Sequence, residues 1–266
     1  MEPTMPNQKG IMFPDGVRQV TCKDCIDGQF NIPISMAFQP IVNTATKRIY
    51  AYEALVRGRA GEPALSVLSQ INTDNRYFFD QAARVTAIRL VSELGFASRD
   101  PDTKLSINFM PNAVYRASTC IRATLEAARL YDLDPKRLIF EIAEADQIVD
   151  RKHLMDIIEV YRTEGFTIAL DDFGEGYAGL NHLIEIRPDV IKLDLNLIRN
   201  IDHDAGRQAV VRATVSMCKE LGIGVVAEGV ETLEEWSCLE ASGVFLYQGY
   251  LFSRPAFEAL PEPQYP

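Results

Sequence analysis

Short apolar segments alternate with longer stretches of helical period along most of the chain, beginning near residue 36. Short apolar runs bounded by turn residues are typical of strands, and apolar residues recurring every three or four positions are typical of helices. The pattern predicts strands at 36–42, 49–56, 104–109, 138–142, 167–171, 189–194, 223–228 and 244–248. It predicts helices at 75–94, 112–130, 151–164, 176–185, 205–221 and 231–241.

This alternation predicts an α/β fold, a modified TIM barrel of the (β/α)8 type. Gly165, Gly222 and Gly243 follow the ends of three predicted helices, where a left-handed cap is favoured. Only the segment from Asn43 to Arg48 separates the first two strands. A parallel crossover needs about a dozen residues or more, so we expect strand 1 to be antiparallel to the other strands.

The chain divides into an extension, a barrel and a tail. Residues 1–35 have little periodicity and form a predicted N-terminal extension with weak structure; 36–258 form the barrel and 259–266 a C-terminal tail. The extension contains Cys22 and Cys25 as a single CxxC pair with no nearby histidine. Because a zinc site needs about four ligands, the alternatives are two ordinary thiols or a metal or redox pair.

Charge and hydropathy exclude several classes of protein. The net charge is −10 and no run of Lys or Arg is present, so binding to a nucleic-acid polymer is not expected. No apolar run approaches the roughly 20 residues that span a bilayer, and the first residues do not resemble a secretory signal. We expect a cytoplasmic protein without membrane contact, in which bound cations would attract any anionic substrate.

Polar residues stand near the end of every predicted strand. In a barrel the C-terminal ends of the strands meet at one rim, where we expect these side chains to form a site. They are Gln39, Glu53, Asn108, Glu141, Asp171, Asp172, Lys192, Asp194, Glu228 and Gln248. Taken alone, the adjacent acids Asp171 and Asp172 would be equally consistent with solvated carboxylates or a helix cap.

The residue types indicate the chemistry of this rim. Carboxylate and amide oxygens are ligands for Mg²⁺, Mn²⁺ or Ca²⁺, whereas the three histidines lie in predicted helices or their connections. The amide of Asn108 and five of the carboxylates are enough for two cations, a common arrangement for displacement at phosphorus; these acids are Glu53, Glu141, Asp171, Asp172 and Glu228. The sequence therefore predicts a metal-dependent phosphoester hydrolase.

Eight segments over about 36–258 resemble the EAL family of cyclic di-GMP phosphodiesterases, named after the triplet found here at Glu53. They are FQPI (38–41), EALVR (53–57), SIN (106–108), FEIAE (140–144), ALDDFGEGYAGL (169–180), IKLD (191–194), VVAEGVET (225–232) and QGYLFSRP (248–255). The resemblance implies a barrel with an antiparallel first strand that hydrolyses cyclic di-GMP to linear pGpG. It also implies two Mg²⁺ or Mn²⁺ ions, inhibition by Ca²⁺, and a homodimer.

The resemblance also implies roles for the rim residues. One metal is expected on Glu53, Asn108, Glu141 and Asp171, with Asp171 bridging to a second metal beside Asp172. Lys192 is expected to hold the attacking water and offset charge on the phosphate. Glu228 is expected to be the general base or a water-mediated metal ligand.

Further residues are expected to bind the nucleotide or support the site. Gln39, Leu55 and Arg57 should contact the nucleotide, although Arg57 would also be consistent with a surface ion pair. Asp194 should either contact it or pair with Lys192. Glu231 and Gln248 should orient the ligands, with a first-turn helix acid as the alternative for Glu231. Glu144 should tie down the glycine-rich loop.

Three positions depart from the family pattern without touching an expected metal ligand. Glu175 replaces a small hydroxyl residue in the glycine-rich loop, Ala143 replaces a threonine, and Met110 replaces a serine. Glu175 and Glu144 would repel unless one of them binds a cation or faces solvent. The alternatives to an active hydrolase are a receptor that binds cyclic di-GMP without cutting it and a scaffold for another protein.

Overall fold

The computed structural model of the protein describes residues 32–114, 117–144, 150–176 and 179–266. Most of the predicted extension, including Cys22 and Cys25, lies outside the described residues. The domain boundaries stay a prediction. Among the described residues, no helix is both long enough and apolar enough to cross a membrane.

Eight strands close into the predicted barrel. The strands of the sheet run in the order β2-β3-β4-β5-β6-β7-β8-β1, and pairing between β1 and β2 closes it. Their bounds are β1 Ile34–Asn43, β2 Arg48–Gly58, β3 Lys104–Asn108, β4 Leu138–Ala143, β5 Thr167–Phe173, β6 Val190–Leu193, β7 Gly224–Ala227 and β8 Leu246–Tyr247.

The first strand is antiparallel, as the short connection predicts. β1 pairs antiparallel with both β2 and β8, whereas β2 to β8 pair parallel with one another. The register places Gln39 opposite Glu53. The fold class and its modification are therefore confirmed.

Helices cover the barrel between the parallel strands. They are α1 Ala64–Leu68, α2 Arg76–Glu93, α3 Ala117–Leu130, α4 Arg151–Thr163, α5 Gly179–Ile186, α6 Leu195–Ile198, α7 Ala205–Leu221 and α8 Leu233–Ala241. Gly165, Gly222 and Gly243 have φ of 86°, 71° and 89°, the left-handed conformation expected after a helix. The helix α8 begins later than predicted, because Thr232 and Glu235 form a capping box.

Three short elements were not predicted, namely α1, α6 and a ninth strand, β9 Ala256–Phe257. β9 pairs antiparallel with Ala37 and Phe38 of β1. The chain then continues along the β1–β2 hairpin, where the Tyr52 hydroxyl donates a hydrogen bond to the Pro261 carbonyl over 3.1 Å. The predicted C-terminal tail thus packs against the β1–β2 hairpin, where no helix connects the two strands.

The barrel interior has an apolar layer beneath a polar layer. A separate buried cluster consists of Ile41, Ala51, Ile139, Ala169, Val190 and Val226. Strand side chains alternate, so a residue two positions further along also points inward. Those residues are Glu53, Glu141, Asp171, Lys192 and Glu228, with Gln39 in the same place on antiparallel β1. We call these two sets the apolar floor and the polar layer.

Candidate metal centre and substrate cleft

A buried lysine lies at the centre of the polar layer. The Lys192 side chain on β6 is 2% exposed, and its Nζ lies near carboxylate oxygens from β2, β4, β5 and the residue after β7. The distances are 2.6 Å to Glu228, 3.0 Å to Asp171, 3.0 Å to Glu141 and 3.5 Å to Glu53. Since one ammonium faces four acids, the cluster is rich in negative charge.

The lysine and Glu53 are both held in their charged forms. Burial opposes the charge on Lys192, but Asp171, Glu141, Glu228 and Glu53 raise the pKa of its ammonium well above the ordinary value. Burial also opposes ionisation of Glu53, yet Lys192 and hydrogen bonds from Gln248 and Asn108 lower the pKa of Glu53. Opposite charge and hydrogen bonds to the charged form outweigh desolvation at these two residues.

Two other acids of the cluster favour their protonated forms. Burial, opposed by Lys192 and reinforced by neighbouring acids, raises the pKa of Glu228 to about 8. The same causes raise the pKa of Glu141 well above its ordinary value. A lone lysine therefore does not compensate all the carboxylates, and the cluster retains protons unless further positive charge binds.

Three side chains orient the carboxylates of the cluster. Asn108 Nδ2 donates to Glu53 Oε1 over 2.9 Å, and Gln248 Nε2 donates to Glu53 Oε2 over 2.7 Å. Ser106 Oγ donates to Glu141 Oε1 over 2.5 Å and is fully buried. We did not predict a role for Ser106, although it is inward-facing two residues before Asn108 and its spacing was a usable signal.

The two adjacent acids at the end of β5 take different positions. Asp171 is buried in the cluster, whereas Asp172 is half-buried and has a φ of 53°, a left-handed conformation that few residues other than glycine and Asn/Asp adopt. Burial and the charge of Asp171 raise the pKa of Asp172 to about 6. This turn brings both carboxylates toward the same space.

Acids of the polar layer and Asp172 form two triads that share Asp171, and a third triad of Asp172, Glu175 and Asp194 adjoins them. Oxygens of Glu53, Glu141 and Asp171 lie within 4.8 Å of one another, and so do oxygens of Asp171, Asp172 and Glu228. Anionic oxygen donors of this kind suit hard divalent cations, and cations would replace the protons that the acids otherwise retain. The residues present therefore fit Mg²⁺ or Mn²⁺.

The glycine-rich loop after β5 is fastened from the end of β4. Glu144 is buried, and its Oε2 accepts a hydrogen bond from the Gly174 N–H over 2.7 Å. A Cβ at Gly176 would lie 2.7 Å from Glu144 Oε1, so a larger residue there would displace the Glu144 carboxylate. Glu175 is exposed, and its carboxylate lies near those of Asp172 and Asp194, with oxygens within 4.8 Å of one another.

Three predicted residues lie at the edge of the cluster rather than within it. The Asp194 carboxylate caps α6 by accepting from the Asn196 N–H over 2.9 Å. Glu231 is exposed, and its carboxylate pairs with Arg199 over 2.8 Å. Arg57 is half-buried further along β2, and its Nη1 donates to the Val56 carbonyl over 2.7 Å.

A cleft of about 360 Å³ opens above the cluster. Gln39 and Leu55 line it, together with Glu53, Asp171, Asp172, Lys192, Leu195, Glu228, Gly229, Glu231, Gln248, Gly249 and Tyr250. The Arg254 guanidinium lies 4.1 Å from the centre of the Tyr250 ring. The cleft therefore combines acids at its base with an aromatic and cationic pair near its wall.

The chain belongs to the EAL domain family, which matches residues 31–255. A solved structure of a standalone versatile EAL protein from Vibrio cholerae O395, in its c-di-GMP bound form, superposes with a TM-score of 0.84 at 47% identity, covering 89% of this chain and 98% of that one. A manganese/cyclic di-GMP complex of BlrP1 from Klebsiella pneumoniae superposes with a TM-score of 0.81 at 35% identity, covering 90% of this chain and 59% of that one.

Curated relatives carry two kinds of name. The blue light- and temperature-regulated antirepressor BluF of Escherichia coli is 31% identical over 86% of this chain, and the cyclic di-GMP phosphodiesterase PA2567 of Pseudomonas aeruginosa is 29% identical over 83%. The chain spans 56% and 38% of the lengths of these two proteins. The match to these relatives therefore covers only a part of each of them.

Proposed function

We propose that the chain is a metal-dependent phosphodiesterase that hydrolyses cyclic di-GMP to linear pGpG. The observation that carries the proposal is the pair of acidic triads sharing Asp171 around Lys192. Two cations bridged by one carboxylate are a common arrangement for phosphoester hydrolysis. The names of relatives such as PA2567, and the cyclic di-GMP bound in the Vibrio structure, support the substrate.

Most of the expected metal ligands are carboxylates that surround Lys192. Glu53, Glu141 and Asp171 would hold one ion with Asn108, and Asp171 would share the second with Asp172. When bound, two divalent ions lower the pKa of a water molecule and stabilise the charge of the phosphate. Manganese in the related BlrP1 complex supports an ion of this class.

The chain's own groups supply the remaining steps. The Glu228 carboxylate accepts a proton from the attacking water, whose oxygen forms a bond to phosphorus. The bond from phosphorus to the 3′ oxygen breaks, and that oxygen takes a proton from solvent to give the 3′ hydroxyl of pGpG, while Glu228 releases its proton to solvent. The Lys192 ammonium offsets negative charge that grows on the phosphate, which favours the transition state over the bound substrate.

Residues of β1 and β2 are suited to the nucleotide. Gln39 and Leu55 line the cleft, and Gln39 Nε2 is held by the Ser253 carbonyl over 3.0 Å. Arg57 follows Leu55 by two positions on the same strand, and no ion pair occupies it among the described residues. A planar guanidinium can bind a phosphate or a guanine edge with two hydrogen bonds.

Product formation by purified protein tests the proposal. Cyclic di-GMP is first titrated into the metal-free protein, and Mg²⁺, Mn²⁺, Ca²⁺ or EDTA is then added while pGpG is measured. We expect pGpG with Mg²⁺ and Mn²⁺ and none with EDTA or Ca²⁺. Binding without product in every condition would contradict hydrolysis and identify a receptor, and no binding at all would favour a scaffold.

A further inference from the structure

A buried ion pair lies behind the polar layer, on the first long helix. Asp80 and Arg84 are one turn apart on α2, and Arg84 Nη2 lies 2.7 Å from Asp80 Oδ2. Their side chains are 1% and 0% exposed. Neither residue lines the cleft, so the pair is outside the site described above.

The arginine is enclosed by aromatic rings that adjoin two expected metal ligands. Its guanidinium carbon lies 5.2 Å from the Phe109 ring centre and 5.0 Å from that of Phe140. Phe109 follows Asn108 directly, and Phe140 directly precedes Glu141. Because strand residues alternate in direction, the Phe140 ring faces the helices while the Glu141 carboxylate faces the barrel interior.

The aspartate holds the chain just after Asn108. Asp80 Oδ1 accepts a hydrogen bond from the Met110 N–H over 3.0 Å. At the residue between Asn108 and Met110, the Phe109 N–H donates to the Glu141 carbonyl over 3.0 Å. The turn that follows Asn108 is therefore fixed by two backbone hydrogen bonds, one of which ends on α2.

Asn108 needs such anchoring more than the other ligands do. It is an exposed residue at the last position of β3, whereas Glu53, Glu141 and Asp171 are buried in close packing. Its Nδ2 must nevertheless stay 2.9 Å from Glu53 Oε1 to remain in the cluster. Its backbone is held on one side by the pairing of Asn108 with Glu141 in β4, and the hydrogen bond from Met110 to Asp80 restricts the chain beyond it.

We propose that Asp80 is a positioning residue for the metal centre, acting through Met110 on Asn108, with Arg84 holding the aspartate in place. This inference rests on the proposed function, since it assigns Asn108 to a metal. Stability alone does not call for the pair, because well-packed apolar residues can replace a buried ion pair without loss of stability. What apolar residues cannot supply is the acceptor for the Met110 N–H.

Two variants separate positioning from stability. Asp80→Asn keeps an acceptor oxygen for Met110 but removes the charge that balances Arg84. The double variant Asp80→Leu with Arg84→Met removes the acceptor and both charges while keeping apolar volume. Binding of Mn²⁺ to nucleotide-free protein is followed by the electron paramagnetic resonance signal of the free ion, and thermal unfolding is measured on the same samples.

Only one of the two variants is expected to weaken metal binding. The double variant leaves the Met110 N–H without its acceptor and the Tyr161 hydroxyl without Arg84, so it should unfold at a lower temperature. It should also bind Mn²⁺ about tenfold more weakly, the size typical for loss of a group that orients a metal ligand. Asp80→Asn should unfold at a lower temperature and bind Mn²⁺ with an affinity close to that of the wild type. Glu93→Gln, which breaks the exposed Arg89–Glu93 pair on the same helix, is the matched control and should change neither quantity.

The remaining outcomes contradict the proposal. Wild-type affinity for Mn²⁺ in the double variant would overturn it, as would a folded Asp80→Asn protein that binds Mn²⁺ tenfold more weakly. If the double variant does not fold, the result for Asp80→Asn decides alone. Wild-type protein that binds no Mn²⁺ would instead contradict the proposed function, so the two failures are distinguishable.

Discussion

The apolar floor and the polar layer occupy the same barrel and the same strands, yet they differ in almost every physical respect. On β4 the floor residue is Ile139 and the polar residue is Glu141, two positions apart and both almost completely buried. On β6 the corresponding residues are Val190 and Lys192. A shift of two residues along a strand thus changes apolar packing into buried charge.

The contrast between the two layers separates the residues that stabilise the fold from those that supply reactivity. The floor buries apolar surface and has no polar group to satisfy, which favours folding. The polar layer gathers four acids around one ammonium, and burial of such groups is costly unless protons or cations balance them. We therefore expect changes in the floor to alter stability and changes in the polar layer to alter activity.

The largest effect is expected from Glu53→Ala in the polar layer. Loss of this ligand should remove several kcal/mol of transition-state stabilisation, which corresponds to a rate of pGpG formation lower by about 1000-fold or more. The folded state should persist, because the floor is untouched. Rates and thermal unfolding of the same protein check this, and substantial activity would contradict the metal-site assignment.

Ile139→Ala is the opposite test in the apolar floor. Removal of this buried side chain leaves a cavity, and we expect the free energy of unfolding to fall by about 2–5 kcal/mol. The value of kcat/KM, measured well below the unfolding temperature, should stay within about threefold of the wild type, because the cavity lies beneath the polar layer and no side chain of that layer is removed. A large loss of activity in folded protein would show that the two layers are not separable.

Lys192→Met should affect the rate more than nucleotide affinity. The methionine keeps an unbranched side chain but cannot offset charge that develops on the phosphate, and a fall in rate of about 100-fold corresponds to about 2.7 kcal/mol. Turnover and direct binding of cyclic di-GMP distinguish the two effects. The exposed-helix variant Lys219→Met is the control. If affinity alone falls, Lys192 binds substrate and does not assist the reaction.

Much of this arrangement could be predicted from the sequence, because it follows from period and chain length. The connection from Asn43 to Arg48 is too short for a parallel crossover, which determined the antiparallel strand. Polar residues such as Glu141 and Lys192 interrupt apolar strands at the same depth, and barrel geometry brings strand ends together. Both signals are local, and both were confirmed by the positions of the strands.

Other features depend on contacts between distant residues and could not be predicted. The spacing of Ser106 indicates that it faces inward, but not that its hydrogen-bond partner is Glu141, 35 positions away. The strand β9 is two residues long and forms only because β1 offers it an edge. Glu231 pairs with Arg199 instead of a cluster residue, a choice between nearby partners that spacing does not specify.

The smallest effect concerns pH, and it depends on the protons that the polar layer retains. Asp172 has a pKa of about 6 and Glu228 a pKa of about 8, so at pH 7 the first is mostly ionised and the second mostly protonated. Cations compete with these protons, so Mn²⁺ affinity should rise as pH increases from 6 to 8. For each proton released, the rise is at most about tenfold per pH unit.

Calorimetry in buffers of different ionisation enthalpy counts the protons released when Mn²⁺ binds. At pH 7 we expect about one from Glu228, in addition to any from Glu141, whose pKa is also raised. Glu228→Gln removes one of these protons and should flatten the dependence between pH 7 and 8. Equal Mn²⁺ affinity at pH 6 and 8 would mean that burial does not protonate these acids, and the contrast between the two layers would then be steric rather than electrostatic.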